Sequence, residues 1–166
     1  MILIKDHQPV GFKNMAIEKE RKFKLKWLPE RLPYVKIRQG YVMFDGKKHM
    51  RVRIMDDYMS RLTIKTILSP IERVEYEYDI PLKDAEEMYA ATDIKLEKTR
   101  YVAYFEGNHV DIDVYPNGLG VVEIEYTDDN PIVNLPPYCG EEVTGQKKYS
   151  NIAIAKRNAK KASKNT

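Results

Sequence analysis

Seven stretches of the chain place polar, mostly ionisable side chains two residues apart: Glu18-x-Glu20-x-Lys22, Arg51-x-Arg53, Arg61-x-Thr63-x-Lys65, Arg73-x-Glu75-x-Glu77, Lys98-x-Arg100, Asp111-x-Asp113 and Glu123-x-Glu125. In extended backbone a spacing of two puts each set on one face of its strand. Val52, Ile54, Leu62, Ile64, Val74, Ile112, Val122 and Ile124 fill alternate positions, so these strands are ionic on one face and apolar on the other. The carboxylates are hard oxygen donors suited to Mg2+ or Mn2+. The arginines suit phosphate oxygens through a bidentate fork, and the lysines do so as point charges. Acidic metal holders beside basic phosphate clamps are the parts needed for metal-assisted phosphoryl transfer, where positioning and electrostatics supply most of the catalysis. There is no glycine-rich phosphate loop, so side chains must do the cradling.

The rest of the chain limits where such a face can sit. A length of 166 residues, 43% hydrophobic and 32% charged, fits one domain with a core and an unusually ionic remainder. No apolar run approaches the roughly 20 residues of a membrane helix, and the N-terminus lacks a signal-peptide pattern, so a cytoplasmic, membrane-free protein is expected. A lone cysteine, Cys139, excludes an internal disulfide, and the scattered His7, His49 and His109 cannot build a Cys/His zinc cluster. Any metal must therefore sit on carboxylates. The net charge of +3 is local: residues 151–166 carry five cations and no acid. That run is not a nucleic-acid signature; its commonest meaning is a basic, frayed terminus.

Strict alternation predicts eight strands: 17–25, 34–44, 49–56, 61–66, 71–80, 97–106, 109–115 and 120–126. Asp45-Gly46, Gly107-Asn108 and Asn117-Gly118 are tight-turn dipeptides of antiparallel hairpins. Residues 81–91 form an amphipathic helix expected outside the sheet, 152–162 a second helix candidate, and 130–140, with three prolines, an ordered loop. The expected organisation is an N-terminal extension over 1–14, the domain over 15–151 and a basic helix or tail over 152–166. Two placements of the ionic face follow from the pattern. It is either a solvated surface of weak cross-strand ion pairs, or the interior of eight strands closed into a barrel. In the second case two short helices cover too little of the apolar exterior, which favours an oligomer.

Glu18-Lys19-Glu20-Arg21-Lys22 fits the ExExK signature of the CYTH superfamily, the triphosphate tunnel metalloenzymes. The resemblance continues in order through Arg38-Gln39-Gly40-Tyr41, Arg51-Val52-Arg53, Leu62-Thr63-Ile64-Lys65, Arg73-Val74-Glu75, Glu97-Lys98-Thr99-Arg100, Asp111-Ile112-Asp113, Val122-Glu123-Ile124-Glu125 and Glu141-Glu142-Val143-Thr144-Gly145. It is strongest toward the short bacterial members that hydrolyse inorganic triphosphate. The resemblance implies a mainly β (α+β) fold, a closed eight-stranded antiparallel β-barrel with a few flanking helices, often homodimeric. It further implies that Glu18, Glu20, Glu123, Glu125 and Asp113 hold Mg2+ or Mn2+. Lys22, Arg38, Arg51, Arg53, Arg73 and Arg100 would grip phosphate, with Tyr41 lining the tunnel. Lys65 and Lys98 match a lysine dyad that activates the attacking water, and a C-terminal helix over 152–162 would stand at one mouth.

Class IV adenylyl cyclase, thiamine or nucleoside triphosphatase and a non-enzymatic polyphosphate-binding module share the same features and stay open on sequence grounds. Glu75 and Glu77 read as interior ion-pair partners, Asp111 as a rim residue, Trp27 as a packing anchor, and His49 and His109 as solvated residues beside turns.

Overall fold

A computed structural model describes residues 18–165, with only the backbone of Glu18. The extension over 1–14 and the start of the first strand at Ile17 lie outside the described residues. The strands are β1 (Glu18–Leu25), β2 (Tyr34–Asp45), β3 (Lys48–Met55), β4 (Met59–Ile67), β5 (Glu72–Asp79), β6 (Lys95–Phe105), β7 (Asn108–Val114), β8 (Gly120–Tyr126) and β9 (Cys139–Glu142). The helices are α1 (Leu82–Ala90) and α2 (Asn151–Lys164). All eight predicted strands form. The hairpin between β6 and β7 turns through Glu106 and Gly107, both at positive φ, as a two-residue turn matched to strand twist demands.

The antiparallel order runs β5-β4-β3-β2-β6-β7-β8-β1, and β1 then pairs with β5 through Glu18↔Arg73 and Lys19↔Glu72. The eight strands therefore form a closed ring. Closure decides between the two placements: the ionic face is inside. Arg51 stands across from Tyr41 and Thr63, Lys65 from Glu75, Lys22 from Glu123, and Arg100 from Asp113.

The apolar face lies outside and is covered in pieces. Ala85 of α1 packs on Val52 and Ile54 of β3. Phe23, Val110, Ile112, Val122 and Ile124 pack beneath Tyr138 and Cys139. Each such side chain taken from water is worth roughly 1.5–3 kcal/mol. The cover over β7, β8 and β1 is thus supplied by the proline-containing loop and by β9, a strand absent from the sequence expectation. β9 is four residues long and shows no alternation; it exists because Phe23↔Glu142 and Leu25↔Cys139 pair it to the edge of β1. The exterior of β4 and β5 stays open, with Ile64, Tyr76 and Tyr78 exposed.

The basic C-terminal run is a docked helix rather than a frayed end. Ser150 caps α2 by accepting from the Ala153 N–H. Ile154 and Ala155 are buried against Tyr41, Leu96, Tyr115 and Val121, all inner-face positions near one end of the ring. α2 therefore closes that mouth. No helix among the described residues is long and apolar enough to cross a membrane.

Candidate active site

The interior is an ion-pair lattice to which every strand of the ring except β2 contributes; β2 supplies the neutral Gln39 and Tyr41. Lys22 Nζ lies 2.8 Å from Glu123 Oε1 and 3.3 Å from Glu20 Oε1, and Arg73 pairs with Glu20 as well. Lys65 Nζ is 2.7 Å from Glu75 Oε1, and Arg51 Nη2 is 3.4 Å from Glu75 Oε2. Glu75 is thus an ion-pair partner, as read from sequence. Burial alone would raise its carboxyl, but Arg51 and Lys65 outweigh that and hold it down to about 2. Glu77 accepts from Arg61 and Thr63.

Across the ring, Arg100 donates to Asp113 through Nε (2.7 Å) and Nη2 (2.8 Å), to Asp111 through Nη1 (2.5 Å), and more weakly to Glu123. Burial opposes the charge on Arg100, but Asp113 and Asp111 keep its guanidinium firmly protonated. Lys98 Nζ takes the second oxygen of Asp113 at 2.5 Å and also reaches Asn151 Oδ1 at 3.3 Å. Burial, then Arg100, push the Lys98 ammonium down to about 7 against the pull of Asp113 and Glu123. Burial likewise lowers Lys65, with Glu75 opposing.

Among the described residues two arginines are incompletely partnered. Arg53 is buried, and among the described residues its Nε donates at 3.3 Å to the neutral Oε1 of Gln39 and to no carboxylate. Burial, then Arg51 and Arg100, depress its guanidinium to about 10. Arg51 Nε is buried with no hydrogen-bond partner among the described residues. Tyr41 is inside, its hydroxyl accepting from Gln39 Nε2 at 3.0 Å.

Several expectations change. Arg38 stands across from Ile54 on the outer face of β2, where it pairs with Asp57 and Glu86 of α1. Gln39 and Tyr41 take the inner face, and a side chain one residue away must point the other way. Asp113, expected to hold metal, has both oxygens engaged by Lys98 and Arg100. Asp111 belongs to the interior rather than the rim. Lys65 and Lys98 stand on β4 and β6, each with its own carboxylate. Neither His49 nor His109 is free in solvent: His49 is buried on the inner face, and His109 Nε2 lies 2.9 Å from Asp111 Oδ1.

Sequence reasoning passes over His109 as a candidate donor and sets Asp111, one of the candidate carboxylates, at the rim, although His109-x-Asp111-x-Asp113 carries the same period-two signal as the other sets. Ligand atoms of His109, Asp111 and Glu125 all lie within 4.8 Å of one another. Burial raises the Glu125 carboxyl, and Asp111 and Glu123 raise it further, against the pull of His109. Crowded carboxylates of this kind fit a hard divalent cation, which would relieve the repulsion. Glu20 stands across from Glu125 on β1 but, like Glu123, is engaged by cations: Glu20 by Lys22 and Arg73, Glu123 by Lys22 and Arg100.

A closed ring of eight strands with an interior of paired carboxylates and partly uncompensated arginines is the architecture that the ExExK resemblance implied. Residues 16–134 match the CYTH domain, and the chain belongs to that family. Over 124 residues it is 40% identical to an inorganic triphosphatase of Acetivibrio thermocellus, covering 72% of this chain and 79% of that protein. Over 148 residues it is 34% identical to an inorganic triphosphatase of Nitrosomonas europaea, covering 83% and 96%. A solved structure of an inorganic triphosphatase matches with a TM-score of 0.63 at 33% identity, over 85% of this chain and 95% of that one.

Proposed function

We propose that the chain is a divalent-metal-dependent hydrolase that cleaves the terminal phosphoanhydride of inorganic triphosphate inside the ring. The observation that carries this reading is the buried arginine pair: among the described residues Arg53 has no anionic partner, and Arg51, which reaches Glu75 through Nη2, keeps a buried Nε without a partner. Buried cations without anions are costly, and a polyanion entering the ring supplies what they lack. The names of the relatives point to the same substrate.

Arg51, Arg53 and Lys22 are the principal phosphate grips, with Arg73 and Arg100 completing the cationic lining and Tyr41 closing it toward α2. Glu18, Glu20, Glu123 and Glu125, joined by Asp111 and His109, would hold Mg2+ or Mn2+. When bound, the metal neutralises phosphate charge and polarises the scissile phosphoryl group. Lys98 is the general base: near neutral pH part of the population has an unprotonated Nζ, which accepts a proton from the attacking water as orthophosphate forms and pyrophosphate leaves. Asp113 orients Lys98 and Arg100 instead of holding metal, and Lys65 assists from the opposite wall.

A homodimer through the open exterior of β4 and β5 fits the exposed Ile64, Tyr76 and Tyr78. A cytoplasmic setting fits the lone, buried Cys139. The test is phosphate release from inorganic triphosphate, ATP, thiamine triphosphate and pyrophosphate with Mg2+, Mn2+ or EDTA, with cyclic AMP assayed in the ATP samples. Metal-dependent release from inorganic triphosphate, with little from ATP, is expected. Cyclic AMP formation would move the assignment to a cyclase, and silence on every substrate would leave a binding module.

A further inference from the structure

His49 is on the inner face of β3, two residues from Arg51, with 9% of its surface exposed. Its neighbours come from three other elements. Lys65 stands across from it on β4. Tyr41 of β2 meets its ring edge-on at 5.9 Å between centroids. Phe44 is its other cross-strand partner, and Lys156 of α2 places its Nζ 4.0 Å from the centre of the Phe44 ring. The charged or titratable groups facing His49 are therefore Arg51, Lys65, Lys156 and Tyr41, together with the Gly46 carbonyl, which favours the protonated ring. It has no carboxylate partner among the described residues. Burial, then Lys65, Arg51 and Lys156, lower its pKa from the ordinary value, so the imidazole is neutral at neutral pH.

We infer that His49 is a further phosphate-binding residue: when a condensed phosphate occupies the ring, the imidazole takes a proton from solvent and donates an N–H to an anionic oxygen. The geometry explains why a histidine suits this position. A lysine or arginine would add permanent repulsion to a cluster in which Arg53 has no anionic partner among the described residues and Arg51 shares Glu75 with Lys65. A neutral imidazole adds none, yet becomes a charge-assisted donor once the polyanion reverses the local potential. Its place beside Lys65 and under α2 puts this donor at the closed end of the ring, where it would meet the phosphate that penetrates furthest. The inference deepens the reading of the interior as a triphosphate site and rests on it.

The test follows the histidine ring signals by NMR over pH 4.5–8.5, with and without sodium tripolyphosphate, in EDTA so that no turnover occurs. His49→Gln identifies the His49 signal, and isothermal titration on the same samples reports binding. Without the anion His49 should titrate below an ordinary histidine. With tripolyphosphate bound it should titrate at least one unit higher, equivalent to about tenfold tighter binding to the protonated form. His49→Gln should weaken tripolyphosphate binding about tenfold at pH 6 and by less than about twofold at pH 8, relative to the unsubstituted protein. If tripolyphosphate binds and the His49 signal does not move, the inference is overturned while the triphosphate reading stands. If tripolyphosphate does not bind the unsubstituted protein at any pH, the triphosphate reading falls and takes this inference with it.

Discussion

Lys98 Nζ lies 2.5 Å from Asp113 Oδ2, and neither side chain is exposed to solvent. The pair is held by a second cation, Arg100, on the same aspartate, and by Asn151 at the start of α2. With the Lys98 ammonium brought down to about 7, its protonated and neutral forms are both populated near neutral pH, as the proposed general-base role requires.

A pH profile follows. The base is active without its proton, so the rate of triphosphate hydrolysis should rise with pH through about 7 and level off above it. Lys98→Arg, permanently charged, should remove that inflection and lower kcat by roughly 10²–10⁴-fold. Steady-state kinetics from pH 5.5 to 8.5 check both, and an inflection that survives in the arginine variant would assign the base elsewhere.

The metal assignment is tested on the carboxylates. Replacing Glu18 and Glu20 together by Gln should abolish hydrolysis while circular dichroism shows the β-structure intact. Glu125→Gln and His109→Ala should each weaken Mn2+ binding, followed by electron paramagnetic resonance, by tenfold or more. Normal turnover in the double variant would remove Glu18 and Glu20 from the metal site.

Glu75 ties stability to acid pH. Its carboxyl is held down to about 2 in the folded chain against an ordinary value of 4.5. A depressed carboxylate stabilises the fold above its unfolded value and loses that contribution as pH falls through the folded one. The gain is about 3 kcal/mol, fully present above pH 4.5 and gone near pH 2. Glu75→Gln also strands Lys65 and Arg51, so at pH 7 it should cost about 3–5 kcal/mol. Urea unfolding midpoints at pH 7 and pH 3 check this: the gap between parent and variant should narrow at the lower pH.

The closing helix is tested by Ile154→Ala. Ile154 is buried against Tyr41, Leu96, Tyr115 and Val121, so truncating it should destabilise the docked helix by about 2–5 kcal/mol. Cutting the chain after Ser150 also removes Asn151, which accepts from Tyr115 at 2.6 Å and from Lys98. That truncation should lower kcat several-fold, and unchanged activity would separate α2 from catalysis.

The outward placement of Arg38 is legible in the sequence. Arg38 and Tyr41 are three residues apart, an odd spacing that cannot share one face of a regular strand. The shift in pairing register on β2 lies beyond Tyr41, between it and Met43, and so does not rescue the sharing. His109, by contrast, kept the period of Asp111 and Asp113 and belonged inside with them. Two features had no local signal. β9 is created by an edge of β1 more than a hundred residues away in sequence, and the docking of α2 is set by Tyr41, Leu96, Tyr115 and Val121 from three strands and a turn of the ring's closed end.

Alternation by itself determined the strands, the division of each into an ionic and an apolar face, and the donor chemistry available, because a period of two is a local property of extended backbone. It did not determine which face is inside. That was decided by the pairing of Glu18 with Arg73 and Lys19 with Glu72, which closes the ring. Closure also chose the partners: Lys22 meets Glu123 across 101 residues of sequence, and Asp113 goes to Lys98 and Arg100, leaving Arg53 without an anion among the described residues. These matches are non-local, set by strand order and register, and only the folded ring brings the charges close enough to pair or to be left wanting.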